Sequence, residues 1–298
     1  MTYGAVADTW PSPWFVLNPT ELDAMSLLAE QHAYTFLEAR ARTQHVNPLS
    51  GQFELSIADA YDIAKASDTI RAAEGEVRIG RKLGFTNRKL WTKYGEKAAI
   101  REPIWSSLFD STVRYVDDNH AYQSLTGALQ PRIEPEVVFK LGRTPAADAC
   151  IEELADCLEW MAHGIEIVVS PYPDWKFEAA DAIAALGLHG TLLIGEPRIL
   201  SSASRQHLAE LLANASVSLS CDGTLLSAGY GSNVLDSPLH AIWHLHGLLQ
   251  KQPQFSPLQA GEIITTGTWT DAYPVQPGQT WGTAFSGIPL PGLSVSFA

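Results

Sequence analysis

Helical periodicity marks the start of the chain. Apolar residues recur at three- and four-residue spacing from Leu22 to Phe36, and Thr20 is placed to cap a helix that we expect to end near Thr43. A loop rich in proline, serine and glycine (47–51) separates this helix from a second amphipathic pattern over about 56–73. The two patterns predict a helical hairpin, and with it an N-terminal helical region spanning 1–74.

After residue 74 the pattern changes to short β-type runs separated by glycine and proline. Helical patterns over 147–161, 202–214 and 237–250 interrupt these runs. Because few helices intervene, we expect an α+β fold in which the helical cap is followed by a mostly antiparallel or mixed sheet, rolled on itself, in 75–298. The predicted strands are Val77–Phe85, Ile133–Leu141, Ile165–Ser170, Leu192–Ile194, Ser216–Cys221, Ile263–Thr268 and Leu293–Phe297.

Composition and charge narrow the class of partner. The 298 residues are 46% hydrophobic and 18% charged, which is typical of a globular protein with a sizeable core. The formal net charge of −13 disfavours binding to nucleic acid or to an anionic membrane surface. We therefore expect neither nucleic acid nor a membrane as partner, and carboxylates that are either solvated or bound to cations.

The cysteines and the N-terminal sequence indicate the compartment. Cys150, Cys157 and Cys221 lack metal-type spacing, and an odd number of cysteines is typical of a reducing environment. The first 15 residues lack a basic region followed by an apolar core, and the longest weakly polar stretch, Ala182–Gly195, is too short to span a bilayer. These features favour a cytoplasmic protein without a transmembrane segment.

Three glutamates lie within apolar β-type runs. Glu134 and Glu136 are two residues apart, so both side chains project to the same side of a strand. Like charges held together in this way need a cation or a proton if they are buried, whereas a solvent-facing edge strand, which Pro135 would tolerate, needs neither. Glu166 lies in a second apolar run, where an acid needs a partner. On neighbouring strands the three would form an oxygen-rich site that suits Mg²⁺ or Mn²⁺.

An ordered set of motifs accompanies these glutamates. In this order the motifs resemble the 2-keto-4-pentenoate hydratase and 4-oxalocrotonate decarboxylase branch of the fumarylacetoacetase superfamily, nearly end to end. The resemblance implies that the sheet is a fumarylacetoacetase C-terminal-like roll, and that the protein assembles as a homo-oligomer. The motifs are SIADAY (56–61), GRKLGFT (80–86), PRIEPE (131–136), GIEI (164–167), DWK (174–176), GYGSNVL (229–235) and GEIITTG (261–267).

The same resemblance implies roles for individual residues. It implies that Glu134, Glu136 and Glu166 bind Mg²⁺ or Mn²⁺, and that Lys82 is the active-site lysine; from the sequence alone Lys82 could equally be a surface lysine. The residues implied for substrate binding are Thr266, Gly267 and Lys176.

Two positions depart from the family pattern. Ile104 stands where hydratases usually have the Asp of Glu-Pro-Asp, so Asp110 becomes the nearest candidate proton carrier, although an ordinary turn acid would look the same. Residues 186–188, Leu-Gly-Leu, replace a polar Asn-Ala-Ser, and His189 follows them. His189 is thus a candidate acid/base or carboxylate-binding group, with a structural histidine as the alternative.

The sequence predicts a divalent-metal-dependent lyase, either a hydratase or a decarboxylase, that acts on a 2-oxo or 2-hydroxydienoic acid in catabolism. An acylpyruvate or fumarylacetoacetate-type C–C hydrolase is an alternative, disfavoured by the lack of an Asn-Tyr-x-x-His signature. A homologue that keeps the metal site but has lost catalysis is another alternative, and Ile104 and Leu186 are the features that favour it.

Overall fold

A computed structural model of the chain describes residues 19–88, 91 and 102–298. The first 18 residues of the predicted helical region lie outside this description. Helix α1 (Pro19–Ala41) begins one residue before Thr20, the predicted cap. Helix α2 (Ile57–Ala73) begins after Ser56, whose side chain accepts a hydrogen bond from the backbone N–H of Asp59 while the Asp59 carboxylate accepts from Ser56. The helical hairpin is therefore present.

Nine strands form a large mixed sheet. Along it the order is β2-β1-β11-β5-β6-β7-β3, with β12 paired to β5 and β8 paired to β6. The β1–β11 and β3–β7 pairs are parallel and the others are antiparallel. The strands are β1 (Arg78–Gly84), β2 (Ile104–Phe109), β3 (Val113–Tyr115), β5 (Arg132–Leu141), β6 (Leu158–Val168), β7 (His189–Ile194), β8 (Arg198–Ile199), β11 (Ile263–Thr265) and β12 (Tyr273–Pro274).

A second sheet of five strands has the order β10-β9-β13-β14-β4. Its β14–β4 pair is parallel, so both sheets are mixed, and the expected α+β class is confirmed. The strands are β4 (His120–Gln123), β9 (Ser216–Cys221), β10 (Thr224–Tyr230), β13 (Thr280–Ser286) and β14 (Ser294–Phe297).

Two of the later helix predictions are wrong in extent. The pattern over 147–161 yields only α3 (Ile151–Cys157), because Leu158 to Met161 instead begin β6 and pair with β5. The pattern over 202–214 is broken into α5 (Ser202–Arg205) and α6 (Leu208–Asn214) at His207, whose φ of 79° is left-handed. The remaining helices are α4 (Ala179–Ala184) and α7 (Pro238–Gln250).

The largest hydrophobic core joins the helical hairpin to the large sheet. Ala33 and Phe36 of α1 and Tyr61 of α2 belong to the same buried cluster as Val137 and Phe139 of β5. None of the described helices is long and apolar enough to cross a membrane. The three cysteines are all free thiols.

Candidate metal centre and active site

The pairing of β5 with β6 brings the three predicted glutamates together. Glu134 is the register partner of Glu166, and Glu136 is the partner of Gly164, so the alternation of β5 places two carboxylates beside the third. Each glutamate can offer one carboxylate oxygen within 4.8 Å of the other two. Glu136 and Glu166 are fully buried, whereas Glu134 is half-buried. The edge-strand alternative is wrong, because β5 is flanked by β11 and β6.

The strand next to β5 holds Glu136 in place. Its Oε2 accepts hydrogen bonds from the Thr265 hydroxyl and, at 2.8 Å, from the backbone N–H of Gly267. Gly267 has φ +98°, and a Cβ there would lie 2.0 Å from Oγ1 of Thr86, so only glycine fits. The other oxygen, Oε1, is buried and has no hydrogen-bond partner among the described residues.

Glu166 is held by a histidine and a lysine. The Oε1 atom lies 2.7 Å from Nδ1 of His189, and Oε2 lies 3.2 Å from Nζ of Lys82. Lys82 projects from β1, and its Nζ also donates to the carbonyl oxygen of Gly187 at 3.0 Å. The parallel β1–β11 pair, in which Lys82 lies opposite Thr265, brings this lysine to the glutamates.

Burial and neighbouring charges shift the pKa values of Lys82 and Glu166 in opposite directions. Burial lowers the pKa of Lys82, but the nearby carboxylates outweigh it and raise the pKa above its ordinary value. Burial raises the pKa of Glu166, but Lys82 and the hydrogen bond from His189 together hold it below its ordinary value. Both groups are therefore charged at neutral pH.

The pKa values of Glu134 and Glu136 are raised rather than lowered. Burial, with the charge of Glu166, raises the pKa of Glu134 to about 7. Burial and both neighbouring glutamates raise the pKa of Glu136 well above its ordinary value. One lysine therefore does not balance three carboxylates in this space, and a divalent cation would. The unpartnered Oε1 of Glu136 and the all-oxygen donor set fit Mg²⁺ or Mn²⁺.

Of the three glutamates, Glu134 lines a cavity of about 300 Å³. Lys82 and Gly267 line it together with Thr268 and Thr270. The cavity therefore combines a few polar groups with apolar walls, an arrangement typical of small-molecule sites. The apolar walls include Phe85, Ile104, Val168, Trp175, Phe177 and Leu188.

Two predicted site residues are not part of this arrangement. Asp110 is exposed in the turn after β2, where its carboxylate accepts from the backbone N–H groups of Val77 and Ser111, and it does not line the cavity. Lys176 pairs with Asp174 at 3.3 Å, and its side chain is 81% exposed, outside the cavity. Both residues occupy turns, in which sequence position does not fix the direction of a side chain.

Thr266 and His189 are close to the centre but do not line the cavity. The Thr266 hydroxyl donates to the carbonyl of Val137 at 2.9 Å and so fixes the loop that carries Gly267. His189 lies on the far side of Glu166, and burial lowers its pKa against the opposing effect of that carboxylate. The imidazole of His189 is therefore neutral, and it contacts Glu166, a candidate metal ligand.

Arg132 and Asp271 line the cavity but were missed by sequence reasoning. Arg132 precedes Glu134 by two residues, so the alternation that identified Glu134 and Glu136 could also have identified Arg132. Its guanidinium lies 4.1 Å from the centroid of the Trp175 ring. Asp271 follows the Thr266–Gly267 loop and is exposed at the cavity, without a periodic signal.

The chain is similar to proteins named as hydratases and decarboxylases over most of its length. It is 29% identical over 265 residues to a 2-hydroxyhexa-2,4-dienoate hydratase from Comamonas testosteroni, which covers 87% of this chain and 94% of that relative. It is 26% identical over 242 residues to a 4-oxalocrotonate decarboxylase from a Pseudomonas species, with coverage of 81% and 88%.

The fold of this chain is also found in a solved structure. A 4-oxalocrotonate decarboxylase from Pseudomonas putida, complexed with magnesium and adipate, superposes with a TM-score of 0.80 at 23% identity, covering 91% of this chain and 97% of that chain. The model of the fumarylacetoacetate (FAA) hydrolase C-terminal family matches residues 95–290, which is more than half of the chain and includes the three glutamates. The chain therefore belongs to the fumarylacetoacetate hydrolase C-terminal family.

Proposed function

We propose that this protein is a divalent-metal-dependent lyase, a hydratase or a decarboxylase, that acts on 2-oxo or 2-hydroxydienoic acids in catabolism. The observation that carries the proposal is the convergence of Glu134, Glu136 and Glu166 with Lys82 at one side of a small apolar cavity. The relatives named 2-hydroxyhexa-2,4-dienoate hydratase and 4-oxalocrotonate decarboxylase support it.

In this proposal Glu134, Glu136 and Glu166 hold Mg²⁺ or Mn²⁺. The donor set and the magnesium in the solved decarboxylase support this assignment. When bound, the cation would supply positive charge opposite the negative charge that develops on the oxygens of a 2-oxo acid. The residues of the chain fix where that acid lies.

Lys82 binds and orients the substrate or a water molecule. Its ammonium group is charged, lines the cavity, and is held in place by Glu166 and by the carbonyl of Gly187. It therefore has a fixed direction from which to donate a hydrogen bond to a substrate oxygen. The Gly267 and Thr268 loop closes the neighbouring wall and excludes water from that side.

Ile104 bears on which variant of the reaction occurs. Hydration requires a group that positions water and moves its proton, and Ile104, which lines the cavity, offers none. Glu134 and Asp271 are the carboxylates among the described lining residues. Loss of CO₂ needs no added water, only a proton at the carbon that the CO₂ leaves, so it is compatible with this wall.

The test is a turnover assay with Mg²⁺ or Mn²⁺ on a panel of 2-hydroxydienoates, oxalocrotonates and acylpyruvates. We expect the dienol absorbance to fall with a lyase substrate, and the product then separates the two reactions: released CO₂ identifies a decarboxylase, and a 4-hydroxy-2-oxo acid identifies a hydratase. Glu136→Gln should abolish turnover, whereas Glu196→Gln at an exposed position should not. No turnover of any member of the panel would refute the enzymatic proposal.

A further inference from the structure

His189 is fully enclosed between Glu166 and a threonine. Its Nδ1 lies 2.7 Å from Oε1 of Glu166, and its Nε2 lies 2.9 Å from Oγ1 of Thr112. Only 1% of the His189 surface is exposed. The ring therefore has both nitrogens engaged and cannot turn without losing a buried hydrogen bond.

We propose that His189 is a positioning residue that fixes Glu166 for a divalent cation, and that Thr112 fixes the orientation of His189. The inference rests on the proposed role of Glu166 as a metal ligand. It assigns His189 no contact with substrate, because His189 does not line the cavity that Glu134 and Lys82 share.

The contacts of Thr112 hold the ring at its other nitrogen. Oγ1 of Thr112 lies 2.9 Å from Nε2 of His189, and the same hydroxyl donates to the carbonyl oxygen of Phe109 at 3.1 Å. Thr112 is thereby tied to the end of β2 and places its oxygen against Nε2. The ring is held at both nitrogens, so its orientation relative to Glu166 is fixed.

Without His189, the Oε1 atom of Glu166 would be buried with no donor at that distance. Glu166 is fully buried, so water does not reach it from the surface to replace the lost bond. A carboxylate freed on one side can rotate away from Glu134 and Glu136. Removal of such a partner of a metal ligand typically weakens metal affinity about 10–100-fold.

The backbone of His189 is fixed from α1. The Arg40 guanidinium donates to the carbonyl oxygens of His189, at 2.5 Å, and Gly190, at 3.0 Å. Three separate elements therefore meet at this histidine: α1 through Arg40, the turn after β2 through Thr112, and β6 through Glu166. The placement of the ring is determined by tertiary structure and not by β7 alone.

The first test is the Mn²⁺ dissociation constant, measured by calorimetry without substrate. We expect His189→Leu to bind Mn²⁺ about 10–100-fold more weakly than the parent protein. In His189→Asn the amide nitrogen lies near the position of Nδ1, so we expect it to recover most of that loss. His246→Asn on α7, a buried histidine bonded to the Ala147 carbonyl, is the matched control and should leave Mn²⁺ affinity unchanged.

The second test is the Mn²⁺ dissociation constant of two Thr112 variants, measured in the same way. We expect Thr112→Val to bind Mn²⁺ more weakly than the parent protein, because Nε2 of His189 loses its partner, and Thr112→Ser, which keeps the hydroxyl, to bind Mn²⁺ as the parent protein does. This measurement also decides the outcome if His189→Leu does not fold, because Thr112→Val leaves the histidine in place.

The outcomes separate this inference from the proposed function. If the parent protein does not bind Mn²⁺, the proposed metal centre is wrong and the inference fails with it. If the parent protein binds Mn²⁺ and His189→Leu binds it equally well, the inference alone is overturned. Mn²⁺ affinity in Thr112→Val equal to that of the parent protein would overturn the role of Thr112.

Discussion

Gly267 combines a left-handed backbone conformation with a close neighbour, so a side chain at this position would not fit. An alanine there would combine a left-handed φ with a 2.0 Å approach to Thr86, and would displace the N–H that binds Glu136. We expect Gly267→Ala to lower the free energy of unfolding by at least about 1–3 kcal/mol and to weaken Mn²⁺ binding. Gly278→Ala is the control, because Gly278 has φ +88° but open space around it. Equal losses in the two variants, measured by urea unfolding, would contradict the clash.

Glu134 gives the site a pH dependence whose sign follows from its raised pKa. In the metal-free protein its carboxyl group has a pKa of about 7, so below that pH a proton competes with the cation for the same oxygens. We expect Mn²⁺ affinity to fall as the pH decreases through 7, and the raised pKa of Glu136 acts in the same direction. Calorimetric titration over this range checks the expectation, and a constant affinity would contradict it.

Replacing Lys82 should strengthen metal binding and slow turnover. Lys82→Met removes a positive charge 3.2 Å from Glu166, so repulsion of an incoming cation falls and Mn²⁺ should bind more tightly. Turnover should fall on the order of 10²–10³-fold, the range for the loss of one positioned hydrogen-bond donor. Steady-state rates and Mn²⁺ titration check the two effects. Weaker Mn²⁺ binding in this variant would mean that Lys82 supports the metal ligands rather than the substrate.

The sequence pattern placed residues on regular strands better than residues in turns. The two-residue alternation of β5 put Glu134 and Glu136 on one face, and the apolar run around Glu166 marked that acid as a partnered one. Asp110 and Lys176 lie outside the cavity, in turns where no periodicity sets the side-chain direction. That Lys82 and His189 both contact Glu166 could not be predicted, since they come from two distant segments.

At the scale of secondary structure, the errors follow from ambiguity between buried strands and helices. Leu158, Trp160 and Met161 are apolar residues next to the short helix α3, and β6 is buried along nearly its whole length. A largely apolar run carries no clear two-residue period, so it extends a helical pattern as readily as it begins a strand. The helical hairpin was predicted correctly because α2 carries both an apolar stripe and an N-cap.

The N-cap of α2 gives an element-level prediction. Ser56 and Asp59 satisfy each other's backbone N–H groups at the start of the helix. We expect Ser56→Ala to lower the free energy of unfolding by about 1 kcal/mol, and Ser56→Gly by only a few tenths of that amount, both with unchanged Mn²⁺ affinity. Chemical denaturation checks this. A Ser56→Ala protein as stable as the parent would contradict the role of the capping box.

For the whole molecule, the sequence predicted the fold class and left the strand order open. The parallel pairing of β1 with β11 joins residues as far apart as Gly80 and Ile263, and no local pattern specifies such a pair. That pair nevertheless places Lys82 opposite Thr265, whose hydroxyl donates a hydrogen bond to Glu136. The division at residue 74, homo-oligomeric assembly and a cytoplasmic location stay predictions.

A folded metal centre should also stabilise the molecule as a whole. Mn²⁺ at about 100 times its dissociation constant should raise the free energy of unfolding by about 2.7 kcal/mol, because the unfolded chain does not hold three glutamates together. Thermal unfolding with and without Mn²⁺ checks this, with Ca²⁺-free buffer as the reference. A midpoint that Mn²⁺ does not move would contradict it.

The most direct measurement of the central claim is a Mn²⁺ titration, followed by electron paramagnetic resonance, of the parent protein and of the Glu134→Gln, Glu136→Gln double variant. The claim is that three glutamates from two paired strands form one metal centre. The expected result is saturable binding of one Mn²⁺ per chain in the parent protein and none at that site in the variant. An unchanged titration in the variant would contradict the account.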